Sequence, residues 1–201
     1  MKQLILIFSI SVLTSFSIFA KTDQLEVGKK IPNWETFLKN SNISSAKLSK
    51  NKVLIVNYID PREKDENKAA TIAVKNAIVD GRLSLKHLQA IGIVDCNASW
   101  APNFLIQNYA NKANKKVPEL DSIMLFDIDG ILDKNYGYGH DTGDLNTVVL
   151  VDKQGMCRAI YNNKMTKEEI TDLVDLAVKL QHIPQKQTPE NKKISPKTNK
   201  K

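Results

Sequence analysis

Two cysteines, Cys96 and Cys157, and three histidines, His87, His140 and His182, carry the chain's means for nucleophilic or metal chemistry. Cys96 closes a short apolar run, residues 90–95, and the carboxyl end of a strand is the rim where α/β proteins place their chemistry. A lone thiol there is the basis of a single-cysteine oxidoreductase or peroxidase, provided that something draws it toward thiolate. No histidine or arginine is evidently placed to do so, and the alternative is a half-buried structural thiol. The histidines are too scattered for a zinc triad. No glycine-rich loop suits a phosphate, and neither a metal nor a cofactor is expected. A third cluster has charge without sulfur. Within residues 59–66, Asp60, Arg62, Lys64 and Asp65 form either a polar binding patch at a helix start or a solvated turn.

The elements that must position these groups follow from periodicity. Residues 53–58 are β-branched and almost continuously apolar, as in a strand of a central parallel sheet covered on both faces. Residues 66–80 follow as a helix with a stripe of Ala69, Ala70, Ile72, Ala73, Ala77 and Ile78, ending at Asp80 and Gly81. A second strand covers 90–95. Ser99 then caps a helix, with Pro102 near its first turn, that continues through Phe104, Leu105 and Tyr109 and dissolves in 111–116. Strands at 122–126 and 147–151 come next, the latter paired with 156–161 across a short turn ending at Gly155. Thr166 and Glu169 form a capping box, opening a helix with Ile170, Leu173, Val174, Ala177 and Leu180 on one face. The order β-α-β-α-β-β-β-α predicts an α/β protein. Its expected form is a thioredoxin-like three-layer sandwich, with a central mixed sheet flanked by helices.

The two ends differ from this body. Lys2 followed by an apolar, Ser-rich run from Leu4 to Phe19 and a break at Ala20 predicts a cleavable secretory signal peptide over residues 1–20. The run is too short and too rich in Ser and Thr to span a membrane comfortably. Cleavage after Ala20 places the mature chain outside the cytoplasm. Residues 185–201 hold six lysines against Glu190, with Ile194 as the one apolar residue, and are expected to be a disordered basic tail. The chain's net charge is +7, but the tail and Lys2 supply most of it, leaving the domain at 21–184 near neutrality. A nucleic-acid partner is therefore not expected. The approach to the first strand runs from Leu25 to Pro32, with Trp34, Phe37 and Leu38 as apolar anchors.

Several stretches resemble the redoxin and peroxiredoxin branch of the thioredoxin superfamily. They are Val27 to Pro32, Leu48 to Tyr58, the Asp127-Ile-Asp-Gly130 run continuing to Gly137, and Val148 to Gly155. The chain is more closely similar to the YtfJ family of periplasmic thioredoxin-like proteins, best over Thr147 to Leu180 and in all over about residues 25–180. The resemblance implies a thiol between the first core strand and the helix after it, at the positive end of the helix dipole. Here that junction has none. Counted from Pro61, the peroxiredoxin threonine position is Asp65 and the cysteine position Lys68, while a Cys-x-x-Cys pair would fall among Glu63 to Glu66. The cis-proline position falls at Asn146 or Thr147, again without proline.

In this topology Cys96 ends the second strand at one edge of the sheet, and Cys157 lies in the last hairpin at the other. About three strand spacings of ~4.8 Å exceed the ~7 Å Cα limit of a disulfide, so no intramolecular Cys96–Cys157 bond is expected. The run from Ile123 to Leu132 resembles the first motif of the haloacid dehalogenase phosphatases, which implies Asp127 as nucleophile with magnesium. Too little chain follows to supply that fold's remaining catalytic groups, and carboxylates shaping a turn are the expectation. Asp127, Asp129 and Asp133 lack the other loop ligands of a calcium hand. The overall expectation is an exported periplasmic protein, not membrane-spanning, that binds a protein or small ligand at the rim without catalysis. The alternative is a thiol enzyme using Cys96.

Overall fold

β1 (Val53–Ile59), β2 (Leu88–Asp95) and β3 (Ile123–Asp127) form a parallel set, to which β4 (Thr147–Val151) adds antiparallel to β1 and β5 (Cys157–Asn162) antiparallel to β4. Their spatial order is β3-β2-β1-β4-β5. These relations come from a computed structural model that describes residues 24–34, 43–139 and 146–184. The expected signal segment and basic tail, Phe37, Leu38 and His140 lie outside the described residues.

The continuous apolar runs have the expected cause. All of β2 and β4 is buried, because both faces of the sheet are covered. The crossovers β1–α2–β2 and β2–α3–β3 step the same way across the sheet, so their right-handedness puts α2 (Lys68–Val79) and α3 (Asn103–Asn114) on one face. α5 (Lys167–His182) joins α2 there, over Val53, Ile55, Ala90, Val148 and Leu150. Its capping box is formed: Thr166 Oγ1 accepts the Glu169 N–H at 3.2 Å, and Glu169 Oε2 accepts the Thr166 N–H at 2.7 Å. The alternate residues Leu54, Val56, Tyr58, Ile91 and Ile93 face a second core. There α1 (Ser45–Ser49), α4 (Ile131–Tyr136) and the approach segment close over them, with Trp34 fully buried. That segment also covers the β5 edge, where Gly28 N–H donates to Cys157 O and Cys157 N–H to Lys29 O, each at 2.8 Å.

Five expectations need correction. α3 starts at Asn103 with Pro102 at its cap position, so Ser99 does not cap it. α2 starts at Lys68, because a 3-10 turn at Pro61–Glu63 consumes the junction first. α3 persists to Asn114 despite its polar end: Ile106 and Ala110 are buried, and Asn114 Nδ2 donates to Ser122 O at 3.0 Å. Tertiary anchors override weak local propensity there. α4 was not expected from periodicity at all. β2 is an interior strand, so Cys96 follows the second strand from the edge; β3 is the edge.

Candidate functional site

The rim at the carboxyl ends of β1, β2 and β3 collects the groups singled out by sequence. β1 exits at Asp60, which is 4% exposed. Its carboxylate accepts the Arg62 N–H at 2.8 Å and is forked by the Arg62 guanidinium, Nε at 3.0 Å and Nη2 at 2.5 Å from Oδ2. This bidentate pair neutralises Asp60 and holds the turn. Lys64 and Asp65 lie at the surface, paired at 3.4 Å, and the Lys64 ammonium stands 5.7 Å from the centre of the Tyr109 ring. The four residues thus do not converge as one patch. Asp60 turns inward, while Lys64 reaches across to α3.

Asn146, immediately before β4, is 2% exposed. Its Oδ1 accepts the Asp60 N–H at 2.8 Å, and its Nδ2 donates to Glu63 O at 2.7 Å and to Glu66 Oε2 at 2.9 Å. Sequence reasoning missed this role, since an isolated Asn before a strand has no distinguishing spacing.

The acidic run after β3 is fully engaged in structure. Asp127 Oδ1 accepts the Ile131 N–H at 2.9 Å, while Oδ2 accepts the Leu132 N–H at 2.8 Å and the Tyr58 hydroxyl at 3.1 Å. Asp127 is 1% exposed and serves as the cap that starts α4, so no oxygen is presented to a substrate phosphate. Burial, then the charges of Asp127, Asp95 and Asp133, push the Tyr58 phenol far above its usual range. Asp95, at the end of β2, accepts the N–H groups of Asn97 and Ala98 at 2.8 and 3.2 Å. Burial raises its carboxyl against those bonds, with the Asp127 charge adding to the rise. Among the described residues, no three His, Cys, Asp or Glu side chains converge to hold a metal ion.

Cys96 is buried rather than half-buried, at 2% exposure, packed with Val94, Ile106 and Ala110 under α3. Cys157 is fully buried in the opposite core. Both are free thiols on opposite faces of the sheet. Burial first, then the charges of Asp95 and Asp127, pushes the Cys96 thiol up to about 11. Burial likewise pushes Cys157 up to about 11. Neither carries the depressed pKa of a reactive thiol.

Beside the rim a cavity of about 640 Å³ opens between the sheet and the helices α2 and α3. Pro61, Lys64, Thr71, Leu105 and Tyr109 stand on its outer wall, and Asn57, Ala90, Gly92 and Met124 on its floor. Asn57, a polar residue on an otherwise apolar strand, was not singled out from sequence.

A profile of a bacterial protein family of unknown function, YtfJ_HI0045, matches residues 26–180. No curated protein matches the chain. Among solved structures, a Chlorobium tepidum protein described as thiol:disulfide interchange protein DsbE is similar at TM-score 0.54 and 15% identity, over 77% of this chain and 99% of its own. A Bacteroides thetaiotaomicron protein described as a protein disulfide isomerase gives 0.55 at 15% identity, over 78% and 91%. The C-terminal domain of a protein from the same organism, described as a thiol-disulfide oxidoreductase, gives 0.51 at 19%, over 80% and 99%. At such identities the likeness is one of fold, and that fold is thioredoxin-like.

Proposed function

The chain belongs to the YtfJ_HI0045 family of bacterial proteins of unknown function and has a thioredoxin-like fold, and on that premise we propose that it is an exported periplasmic protein that binds a partner or small ligand at the sheet rim without thiol catalysis. One observation carries the reading: residues 59–66 contain no cysteine, and the position is filled by the Asp60–Arg62 pair and its Asn146 tether. A thiol enzyme needs an accessible sulfur that spends part of its time as thiolate. Both sulfurs of this chain are buried with pKa values raised to about 11. Export is supported by the three-part pattern of residues 1–20. Among the described residues no helix is long and apolar enough to cross a membrane.

The test is turnover. The purified chain from residue 21 onward is assayed with insulin disulfide and with hydrogen peroxide, beside its Cys96→Ser variant. The expected result is no rate above the variant's. A wild-type rate that vanishes in Cys96→Ser overturns the proposal and establishes the single-cysteine enzyme. Periplasmic fractionation of the full chain checks export independently, and retention of the uncleaved chain in the cytoplasm would exclude it.

A further inference from the structure

We infer that α3 and the turn before it form a docking face for a bilayer surface that carries anionic phospholipid. Trp100, Phe104, Leu105 and Tyr109 enter the headgroup layer, and Lys112, Lys115 and Lys116 meet its phosphates. Among the described residues, half of the large apolar side chains that stand exposed lie in the short stretch from Trp100 to Tyr109. Trp100 is 96% exposed, and Phe104, Leu105 and Tyr109 are each more than half exposed. Such a cluster, unlike apolar residues scattered singly, marks an interaction surface. The helix explains the arrangement. Ile106 and Ala110 turn inward against Val94 and Cys96, which leaves Phe104, Leu105 and Tyr109 outward. Lys112 follows Leu105 and Tyr109 at steps that keep it on their face, and Lys115 and Lys116 stand at the helix end.

Charge decides what covers the face. Residues 96–118 hold three lysines and no acid, and the neighbouring helix α2 holds Lys68 and Lys75 and no acid. Lys112, Lys115 and Lys116 are exposed, and among the described residues none of them is in an ion pair. Flanking acids are offset: Asp65 pairs with Lys64 at 3.4 Å, Glu119 pairs with Lys75 at 2.9 Å, and Asp95 is buried. An apolar face beside unopposed lysines complements a layer of anionic headgroups, which attracts each lysine near it. The residue types separate a bilayer from a protein partner. Protein interfaces enrich Arg and deplete Lys, whereas Trp, Phe and Leu beside Lys make up segments that lie in the membrane–water boundary. The end of the chain adds to the same charge. α3 ends where Asn114 bonds Ser122 ahead of β3, and α5 ends where Gln181 bonds Arg82 ahead of β2. Both helices thus end beside the amino ends of the parallel strands, and from α5 the sequence runs on to residues 185–201, with six lysines against Glu190.

The test is co-sedimentation of the chain from residue 21 onward with two kinds of vesicle, phosphatidylcholine mixed with phosphatidylglycerol and phosphatidylcholine alone. The expected result is binding to the mixed vesicles only, weakened by salt, with a blue shift of Trp100 emission. The double variant Trp100→Ser, Phe104→Ser weakens binding about tenfold. The triple variant Lys112→Gln, Lys115→Gln, Lys116→Gln weakens it roughly a hundredfold. Lys47→Gln with Lys50→Gln, at α1 on the opposite face of the sheet, leaves it nearly unchanged. All of these side chains are exposed, and far-UV circular dichroism confirms that each variant is folded. Binding that survives the aromatic variant undiminished assigns it to the basic end of the chain and overturns the face. A loss as large from Lys47 and Lys50 as from the three α3 lysines shows attraction by net charge alone and overturns it too. Equal binding to phosphatidylcholine alone overturns the anionic assignment, and no binding to either vesicle leaves the face to a protein partner and overturns the proposal. Vesicle binding is read without any substrate, so its failure is separate from that of the turnover assay.

Discussion

The side-chain oxygen of Asn146 accepts the backbone N–H of Asp60 at 2.8 Å, tying the approach to β4 to the exit of β1 across 86 positions of chain. The same amide donates to Glu63 O and Glu66 Oε2, so one buried side chain organises the junction between β1 and α2. Its geometry needs a group that both accepts and donates, which asparagine supplies and alanine does not.

Asn146→Ala is therefore expected to destabilise the chain by about 2–3 kcal/mol, since it strands a buried N–H and removes two donor bonds. Denaturant unfolding measures the loss, and amide exchange at residues 60–66 should accelerate with it. A loss well under about 1 kcal/mol would show that the tether is dispensable.

Cys96 and Cys157, each pushed up to about 11, expose roughly one thiolate in a thousand near pH 8, before burial is counted. An aromatic disulfide reagent is expected to label neither in the native chain over minutes and both at once in denaturant. Rapid native labelling that disappears in Cys96→Ser would contradict the burial of that thiol under α3.

Asp95 has a folded-state pKa above its ordinary value, because burial and the Asp127 charge penalise its ionised form. Its contribution to stability is thus complete below the ordinary carboxylate range and is lost as pH rises through the raised value. Asp95→Asn keeps an acceptor for the Asn97 N–H and removes the penalised charge. Relative to wild type, the variant should gain melting temperature as pH rises above the ordinary carboxylate range, about pH 4. A difference that is flat or shrinks as pH rises refutes the assignment.

Asp127 holds two backbone N–H groups and the Tyr58 hydroxyl. Asp127→Ala should cost about 3 kcal/mol or more, and Tyr58→Phe about 1 kcal/mol, because the latter leaves both backbone donors satisfied. With magnesium and a phosphate-ester substrate, the wild type should show no rate that Asp127→Asn removes. Such a rate would restore the phosphatase reading of the Asp127–Asp129 pair.

Sequence alone determined the order of the five strands and of α2, α3 and α5 among them, the hairpin, the capping box before α5 and the absence of sulfur at the β1–α2 junction. These are local properties: period, turn chemistry and composition act over a few residues. The side of the sheet on which each cysteine lies, the inward turn of Asp60 under Arg62, and the Asn146 tether were decided by tertiary structure. Each depends on strand register and on groups distant in sequence. The cavity shows the division most plainly. Ala70, Ala90, Gly92 and Ala110 are ordinary small residues until crossover handedness and register set them around one space, with Asn57 on its floor.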